Sequence, residues 1–141
     1  MLRKYIPVET KGKVVERAKG RCEYCKCLRK YSPQPFNIEH IIPIAQGGTS
    51  DLDNLALSCG GCNGHKYTKI AALDPVSLQI VSLFHPRKNI WKDHFIWDVS
   101  FTKVIGITAI GRATINALHL NRQELINLRK LTKLTGEQPP K

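Results

Sequence analysis

The alternation of apolar and polar residues predicts two strands separated by a long loop in the first half of the chain. Residues 36–40, Phe-Asn-Ile-Glu-His, alternate in the way typical of a half-buried strand. Residues 43–53 contain Gly47-Gly48 and are predicted to form a loop, and residues 55–57, Leu-Ala-Leu, a short second strand. From Asn63 to about Ala72 no helix breaker follows Gly64, which predicts a helix after the second strand.

A further helix is predicted before this unit, over residues 7–19. Proline is tolerated in the first turn of a helix, and Pro7 stands there. Val14, Val15 and Ala18 form an apolar stripe, and Gly20 occupies the position where a helix C-terminal cap is expected.

The second half has a weaker pattern. Asp74-Pro75 predicts a turn, and the β-branched run within residues 99–107 predicts a strand. Thr108 can cap a helix that extends to about His119, although Gly111 weakens that prediction. Asn121 can cap a last helix to about Leu134, and residues 136–141 are expected to be frayed.

These elements predict an α+β fold. A length of 141 residues allows one domain, or a compact motif with a modest extension. We expect residues 1–75 to form the strand–loop–strand–helix unit with its N-terminal helix, and residues 76–141 to form a small α+β extension that packs on it.

The chain is strongly basic, which indicates a polyanionic partner. Lys and Arg number 22 against 11 Asp and Glu, giving a net charge of +11. The first seventy residues carry 12 basic and 6 acidic side chains, so the excess is spread over the whole chain. Nucleic acid is the common partner for such a field, although charge alone also fits acidic proteins and ribosomal RNA.

Neither a targeting segment nor a membrane span is predicted. Residues 1–7 lack the apolar stretch of a signal peptide, and no apolar run approaches the ~20 residues that span a bilayer. We therefore expect a cytoplasmic, reducing location and no membrane partner, a setting in which paired cysteines favour metal over disulfides.

Two Cys-x-x-Cys pairs predict a structural zinc site. Each pair, Cys22/Cys25 and Cys59/Cys62, lets two sulfurs point at one ion, and four thiolates suit a closed Zn²⁺ site. The 33 residues between Cys25 and Cys59 exceed the insert of an ordinary zinc ribbon. The fifth thiol, Cys27, could compete with Cys25, but the symmetric pairing favours Cys27 as a packed or free thiol.

The insert between the two pairs carries residues that resemble the HNH endonuclease family. The matching segments are Glu39-His40-Ile41-Ile42-Pro43 with Gly47-Gly48, then residues 51–55 (Asp-Leu-Asp-Asn-Leu), then residues 59–63 (Cys-Gly-Gly-Cys-Asn). The resemblance covers residues 20–67, about a third of the chain. It implies the ββα-metal finger fold, which agrees with the predicted order of elements.

The resemblance also implies roles for four residues. His40 would be the general base that activates water, and Glu39 a ligand of a catalytic metal ion. Asn54 would brace the loop and orient His40, and Asn63 would be the second metal ligand, at the start of the helix. A regular strand places Glu39 and His40 on opposite faces, so the family geometry requires a twist before Pro43.

Three residues depart from the common family pattern and bear on the metal. Many members have Asp at the position of Glu39, His at the position of Asn63, and a further metal-binding His where this chain has Tyr67. Two oxygen donors suit Mg²⁺ or Mn²⁺ better than Zn²⁺, with weak binding in the absence of substrate phosphate. His65 is expected to face away from this site.

Candidate nucleic-acid contacts lie after the cysteines. Aromatic and basic residues interleave in segments 83–88 and 91–97, and residues 107–122 resemble the C-terminal extension of a group of bacterial HNH proteins. For the aromatic residues we favour a core role over stacking on bases. The basic residues predicted to contact phosphate are Lys66, Arg87, Lys88 and Arg112.

The sequence therefore predicts a metal-dependent HNH endonuclease that hydrolyses DNA, with structural Zn²⁺ and catalytic Mg²⁺ or Mn²⁺. By analogy with the family it would leave 3′-hydroxyl and 5′-phosphate ends. We expect a monomer or a weak dimer. One finger cuts one strand, so a monomer should nick, and a double-strand break would need a dimer or two encounters. The alternatives are a zinc-stabilised module that binds nucleic acid without cutting it, and a treble-clef protein-interaction domain. Low sequence specificity is expected, and the choice between DNA and RNA stays open.

Overall fold

The computed structural model describes residues 5–141. Residues 1–4, the first part of the segment predicted not to be a signal peptide, lie outside the described range. Short helices alternate with antiparallel strand pairs, which confirms the predicted α+β class. In chain order the elements are α1 Val8–Arg17, β1 Asn37–His40, β2 Leu55–Ser58, α2 Gly60–Lys66, β3 Ala71–Leu73, β4 Ile80–Ser82, α3 Trp91–His94, β5 Phe95–Trp97, β6 Val104–Gly106, α4 Ala109–Leu118 and α5 Gln123–Leu134.

β1, β2 and α2 form the unit that positions the site. The two strands pair antiparallel, with Glu39 opposite Ala56 and His40 opposite Leu55. The second strand is followed immediately by α2, whose N-terminal cap is Cys59, and the Cys59 sulfur accepts a hydrogen bond from the Cys62 N–H at 3.4 Å. The predicted order of strand, loop, strand and helix is therefore present.

α1 packs on the outer face of this unit. Its buried residue Val14 joins Ile6, Leu55 and Leu57 in a small apolar cluster. Arg17, in the last turn of α1, donates to the carbonyl oxygen of Leu55. The amphipathic pattern of α1 thus matches its burial against β2.

In the second half, α4 packs across two strand pairs, β3–β4 and β5–β6. Two glycines permit its close approach. A Cβ on Gly111 would lie 2.1 Å from the carbonyl oxygen of His94, and one on Gly106 would lie 2.5 Å from the backbone nitrogen of Arg112. Gly111 costs helix propensity but removes a side chain that this contact cannot accommodate.

The main core runs across the predicted boundary at residue 75. Tyr24 and the four cysteines of the two pairs pack in one cluster with Phe84, Phe95, Leu118 and Leu120. Tyr24 meets Phe84 edge to face, with ring centroids 6.3 Å apart. Residues 76–141 therefore supply much of the apolar environment of the cysteines.

The helix predicted from Asn63 to Ala72 is wrong in its second half. α2 ends at Lys66, because Tyr67 adopts a positive φ of 49° that no helix continues through. The chain then turns, and Ala71–Leu73 pairs with Ile80–Ser82 as a hairpin around the predicted turn at Asp74. The pairing of β3 with β4 supplies contacts that the sequence pattern does not reveal.

The strand predicted within residues 99–107 is present as β6, Val104–Gly106. Two other predictions near the C-terminus are wrong. Asn121 caps no helix. Its side chain instead bonds both the N–H and the carbonyl of Val104, at 2.7 and 2.9 Å. Residues 136–141 are packed rather than frayed, because Gln138 is buried and donates to the Phe101 carbonyl at 2.8 Å.

Other predicted elements are confirmed. The Thr108 side chain accepts a hydrogen bond from the Gly111 N–H at 3.0 Å and so caps α4, as predicted. α1 begins directly after Pro7. Within residues 5–141, no helix combines the length and apolar character needed to cross a bilayer.

An ion pair joins the β3–β4 hairpin to α4. The buried carboxylate of Asp74 accepts two hydrogen bonds from Arg112, each 2.9 Å long, and two more from the backbone N–H groups of Val76 and Ser77. The bonds from Arg112, above all, hold the pKa of Asp74 well below its usual range.

We predict that Asp74→Asn lowers the melting temperature at pH 7 and that the deficit shrinks in acid. A carboxyl whose pKa is depressed by folding stabilises the protein above its unfolded pKa of ~3.9, and this contribution is lost as the pH falls below that value. Thermal unfolding of both proteins between pH 7 and pH 3 checks this. A deficit that is constant over that range would contradict the assignment.

Candidate functional site

The sulfurs of Cys22, Cys25, Cys59 and Cys62 lie within 4.8 Å of one another. All four residues are buried. These are the predicted ligands, and four thiolates at such separations can hold a tetrahedral zinc ion. The structure therefore confirms a four-cysteine cluster positioned to form a metal site.

The local backbone of each pair orients the sulfurs. The Cys25 N–H points to the Cys22 sulfur at 3.5 Å, and the Cys62 N–H points to the Cys59 sulfur at 3.4 Å. Lys26 has a positive φ of 68°, which reverses the chain after the first pair. Burial raises the pKa of the Cys22 and Cys25 thiols well above the ordinary value, and a bound dication offsets this by stabilising the thiolates.

Cys27 lies beside the cluster. Its sulfur is 3.3 Å from that of Cys25, and the residue is half-buried. The group of potential ligands contains the two symmetric pairs without Cys27.

Arg122, just before α5, reaches the cysteine cluster from the second half of the chain. Its guanidinium approaches the Cys59 sulfur at 3.4 Å and the Cys62 sulfur at 3.6 Å, and it also donates to the Leu118 carbonyl at 3.2 Å. A Cβ on Gly61 would lie 2.4 Å from this guanidinium, so the glycine gives Arg122 its space. Arg122 therefore brings a positive charge and N–H donors to a site of concentrated negative charge.

His40 stands at the end of β1, where the strand enters the loop. Its Nε2 lies 2.9 Å from the Ser50 hydroxyl, and the residue is half-buried. Ser50 is close to the far end of the same loop, so the imidazole links the two ends of the segment between β1 and β2.

Asn54 holds this loop closed. Its Oδ1 accepts from the Ile42 N–H at 2.9 Å, while its Nδ2 donates to the carbonyls of Ile42 at 3.0 Å and Thr49 at 2.8 Å. Its backbone carbonyl also accepts from the Ile41 N–H at 2.9 Å. The side chain and backbone of Asn54 together therefore fix Ile42 and Ile41, the two residues that follow His40.

Gly48 is required by the same arrangement. A Cβ at this position would lie 1.8 Å from the Ile42 carbonyl oxygen and 2.8 Å from Asn54 Nδ2. No side chain fits there without displacing the backbone beside His40.

Glu39 is buried on the opposite side of β1 from His40. One carboxylate oxygen accepts from the Tyr24 hydroxyl, and the other lies 3.6 Å from Lys66 Nζ. Lys66 is also buried, and its Nζ donates to the Ile41 carbonyl at 2.9 Å. Burial raises the pKa of Glu39, although Lys66 and Tyr24 act in the opposite direction.

Asn63 lies on α2, half-exposed and three residues before Lys66. Residues three apart share a helix face, so Asn63 is on the side of α2 that carries the Lys66 contact with Glu39. His65 is exposed, and its ring stacks near that of His119 with centroids 4.4 Å apart, away from Glu39.

The predicted phosphate contacts differ in their surroundings. Lys66 is 1% exposed and its ammonium group contacts Glu39 and the Ile41 carbonyl, so its contact with phosphate stays a prediction. Arg87 is paired with Glu23, and Arg112 with Asp74, which ties both guanidinium groups to carboxylates of the fold. Lys88 is exposed, and its contact with nucleic acid stays a prediction.

Three residues of the site were not anticipated from the sequence: Tyr24, Ser50 and Arg122. Tyr24 lies between the cysteines of the first pair, and a large aromatic residue at that position indicates that its side chain is buried. Ser50 and Arg122 carry no local signal, because their partners lie 10 and 60 or more residues away.

In a comparison with known families, residues 22–69, about a third of the chain, match the family model described as HNH endonuclease. No curated protein and no solved structure matches the chain. The matched segment includes the four cysteines, β1, β2 and α2. This order of two strands and a helix is consistent with the ββα-metal fold.

We predict that Gly48→Ala destabilises the protein by about 1–3 kcal/mol, the usual cost of inserting atoms where there is no space. Gly64→Ala is the matched control, because a Cβ there meets nothing within 4 Å and alanine favours a helix by up to ~1 kcal/mol. Urea unfolding of the two variants measures both effects. Equal shifts of the same sign would refute the close contact at Gly48.

We predict that Arg122→Met weakens zinc retention by about 10-fold or more, since loss of groups that bond to metal ligands typically costs 10–100-fold in affinity. Competition with a chromophoric chelator gives the zinc affinity. Lys130→Met is the control, because it removes one exposed positive charge from α5 without touching a sulfur. The same affinity in both variants would exclude a role for Arg122 at the metal.

Proposed function

We propose that this chain is a metal-dependent endonuclease that hydrolyses phosphodiester bonds of DNA. The observation that carries the proposal is the placement of His40. It stands at the end of β1, bonded to Ser50, beside a loop closed by Asn54, inside an HNH domain. The basic charge of the chain, +11, supports a polyanionic substrate.

In this proposal His40 is the general base. In the tautomer that donates Nε2–H to the Ser50 hydroxyl, Nδ1 is the basic nitrogen of the neutral imidazole, and we assign this tautomer to the reactive state. His40 Nδ1 takes a proton from a water molecule as the water oxygen bonds to phosphorus. The bond from phosphorus to the 3′-oxygen breaks, and that oxygen leaves with a proton from solvent. The products carry a 5′-phosphate and a 3′-hydroxyl.

Asn54 acts through the loop rather than on the substrate. Its three side-chain bonds to Ile42 and Thr49 keep the backbone after His40 in one conformation. A base positioned in advance does not need to be ordered when the substrate arrives. We therefore assign Asn54 as a positioning residue.

The donor types of Glu39 and Asn63 fit a hard divalent ion by their chemistry. Glu39 supplies a carboxylate and Asn63 an amide oxygen, the ligand types that Mg²⁺ and Mn²⁺ prefer. The raised pKa of Glu39 indicates that Lys66 and Tyr24 do not fully compensate its buried charge. An ion held by Glu39 and Asn63 would stabilise negative charge on the phosphate and the leaving oxygen.

One observation favours a second candidate function. Both oxygens of Glu39 already have partners, Tyr24 and Lys66, within a buried network. If the carboxylate keeps these partners, the domain would bind nucleic acid through its basic surface without cleaving it. Such a non-catalytic module would still lose affinity steeply as salt increases.

We predict that the wild type nicks supercoiled plasmid with Mg²⁺ or Mn²⁺ and that EDTA abolishes nicking. His40→Ala should reduce the rate by about 10²–10⁴-fold, the usual contribution of a general base. Agarose gel conversion of supercoiled to open circular plasmid measures the rate. Zinc content should match the wild type, because His40 lies outside the cluster that contains the four cysteines, and the melting temperature shows that the variant is folded.

The outcomes separate the two candidates. Equal nicking by wild type and His40→Ala would overturn the assignment of the base. If the wild type binds DNA but does not cut it with any metal tested, the non-catalytic module would be established instead.

A further inference from the structure

A cavity of about 320 Å³ lies directly behind the first residues of the loop. Its walls include Ile41 and Ile42, which follow His40, and Lys66, which bonds the Ile41 carbonyl. The volume is at the lower end of the range of small-molecule sites, roughly 300–1,000 Å³. The proposed hydrolysis assigns no role to this cavity.

The lining combines apolar walls with polar groups. Phe84, Ile70 and Ile110 supply flat or aliphatic surface, while Lys88 and Asn89 supply donors. Among the described residues no acidic side chain lines the cavity, and two lysines do. This chemistry suits a planar ligand with apolar faces and polar edges that is attached to an anion, which describes a nucleobase and its phosphate.

The polar side of the cavity is preorganised. The His85 carbonyl accepts from the N–H groups of Lys88 at 3.1 Å and Asn89 at 2.8 Å, and Asn89 Oδ1 accepts from the His85 N–H at 2.9 Å. His85 Nδ1 accepts from the N–H groups of Arg87 and Lys88, both at 3.2 Å. Nδ1 therefore carries no hydrogen, and Nε2 of the neutral ring is a fixed donor.

We propose that this cavity binds one unstacked base of the nucleic acid whose phosphate lies at His40. Ile41 and Ile42 connect the two places, because they line the cavity and directly follow His40 in the chain. The inference rests on the proposed function for the nature of the ligand, and it names a substrate class: nucleic acid with an unpaired nucleotide next to the bound phosphate. Removing a base from a duplex is costly, and the cost is least where the base is already unpaired.

The test uses the His40→Ala chain, which the proposed function expects to bind without cutting, and fluorescence anisotropy with three labelled duplexes. One is fully paired, one has a single bulged adenine, and one has an abasic site at the bulge. The bulged base should bind about 10-fold tighter than the paired duplex, the order expected for one stacked base. The abasic duplex should bind like the paired one, because it lacks the base. It keeps the flexibility of the bulge, so it separates an effect of the base from an effect of flexibility.

A variant that fills the cavity makes the test specific. Ser82 is exposed on β4 and lines the cavity, and an aromatic residue is well tolerated in a strand, so Ser82→Phe should fold and occupy the space. Ile80→Phe adds an aromatic ring to the same strand outside the cavity lining and is the control. Ser82→Phe should abolish the preference for the bulged base and leave affinity for the paired duplex within about 2-fold, while Ile80→Phe should preserve the preference.

Equal affinity for the bulged and abasic duplexes would overturn the proposal, and this comparison does not depend on any cavity variant. A preference that survives Ser82→Phe would also overturn it. Nicking of plasmid without a preference for the bulged base would leave the nuclease standing and remove the base pocket. A preference without nicking would support the pocket in a binding module, and binding of none of the duplexes would overturn both proposals.

Discussion

The convergence of four buried sulfurs is the constraint on which the rest of this structure depends. Two of them start the segment before β1, and the other two open α2, so one ion would join both ends of the finger. A chain this small buries limited apolar surface, and a bound metal would compensate for it. The same cluster positions chemistry, because Tyr24, between Cys22 and Cys25, reaches the carboxylate of Glu39.

The elements that local patterns encode were predictable. β1 alternates apolar and polar residues, α2 begins within a Cys-x-x-Cys pair, and Thr108 caps α4. The β3–β4 hairpin was not predictable from the sequence, because strands of three residues are too short to show a period. Their pairing is stabilised by α4. Asn121 shows the limit of capping rules, since its amide bonds β6 rather than the helix after it.

For the site, the residue types were predictable and their partners were not. His40, Asn54 and the four cysteines follow from spacing and resemblance. The pairing of Glu39 with Lys66 depends on how α2 packs against β1, and this tertiary contact turns an expected surface lysine into a buried one. A single sequence shows where charges lie along the chain. It does not show which charges are withdrawn from solvent into ion pairs such as Arg87 with Glu23.

The position of Arg122 has a consequence for how such domains can be exchanged between proteins. The guanidinium that faces two of the sulfurs comes from beyond the matched segment, which ends at residue 69. A finger grafted onto another scaffold from residues 22–69 alone would lack this counter-charge and the aromatic wall at Phe84. The transferable unit for protein engineering is therefore larger than the motif by which the family is recognised.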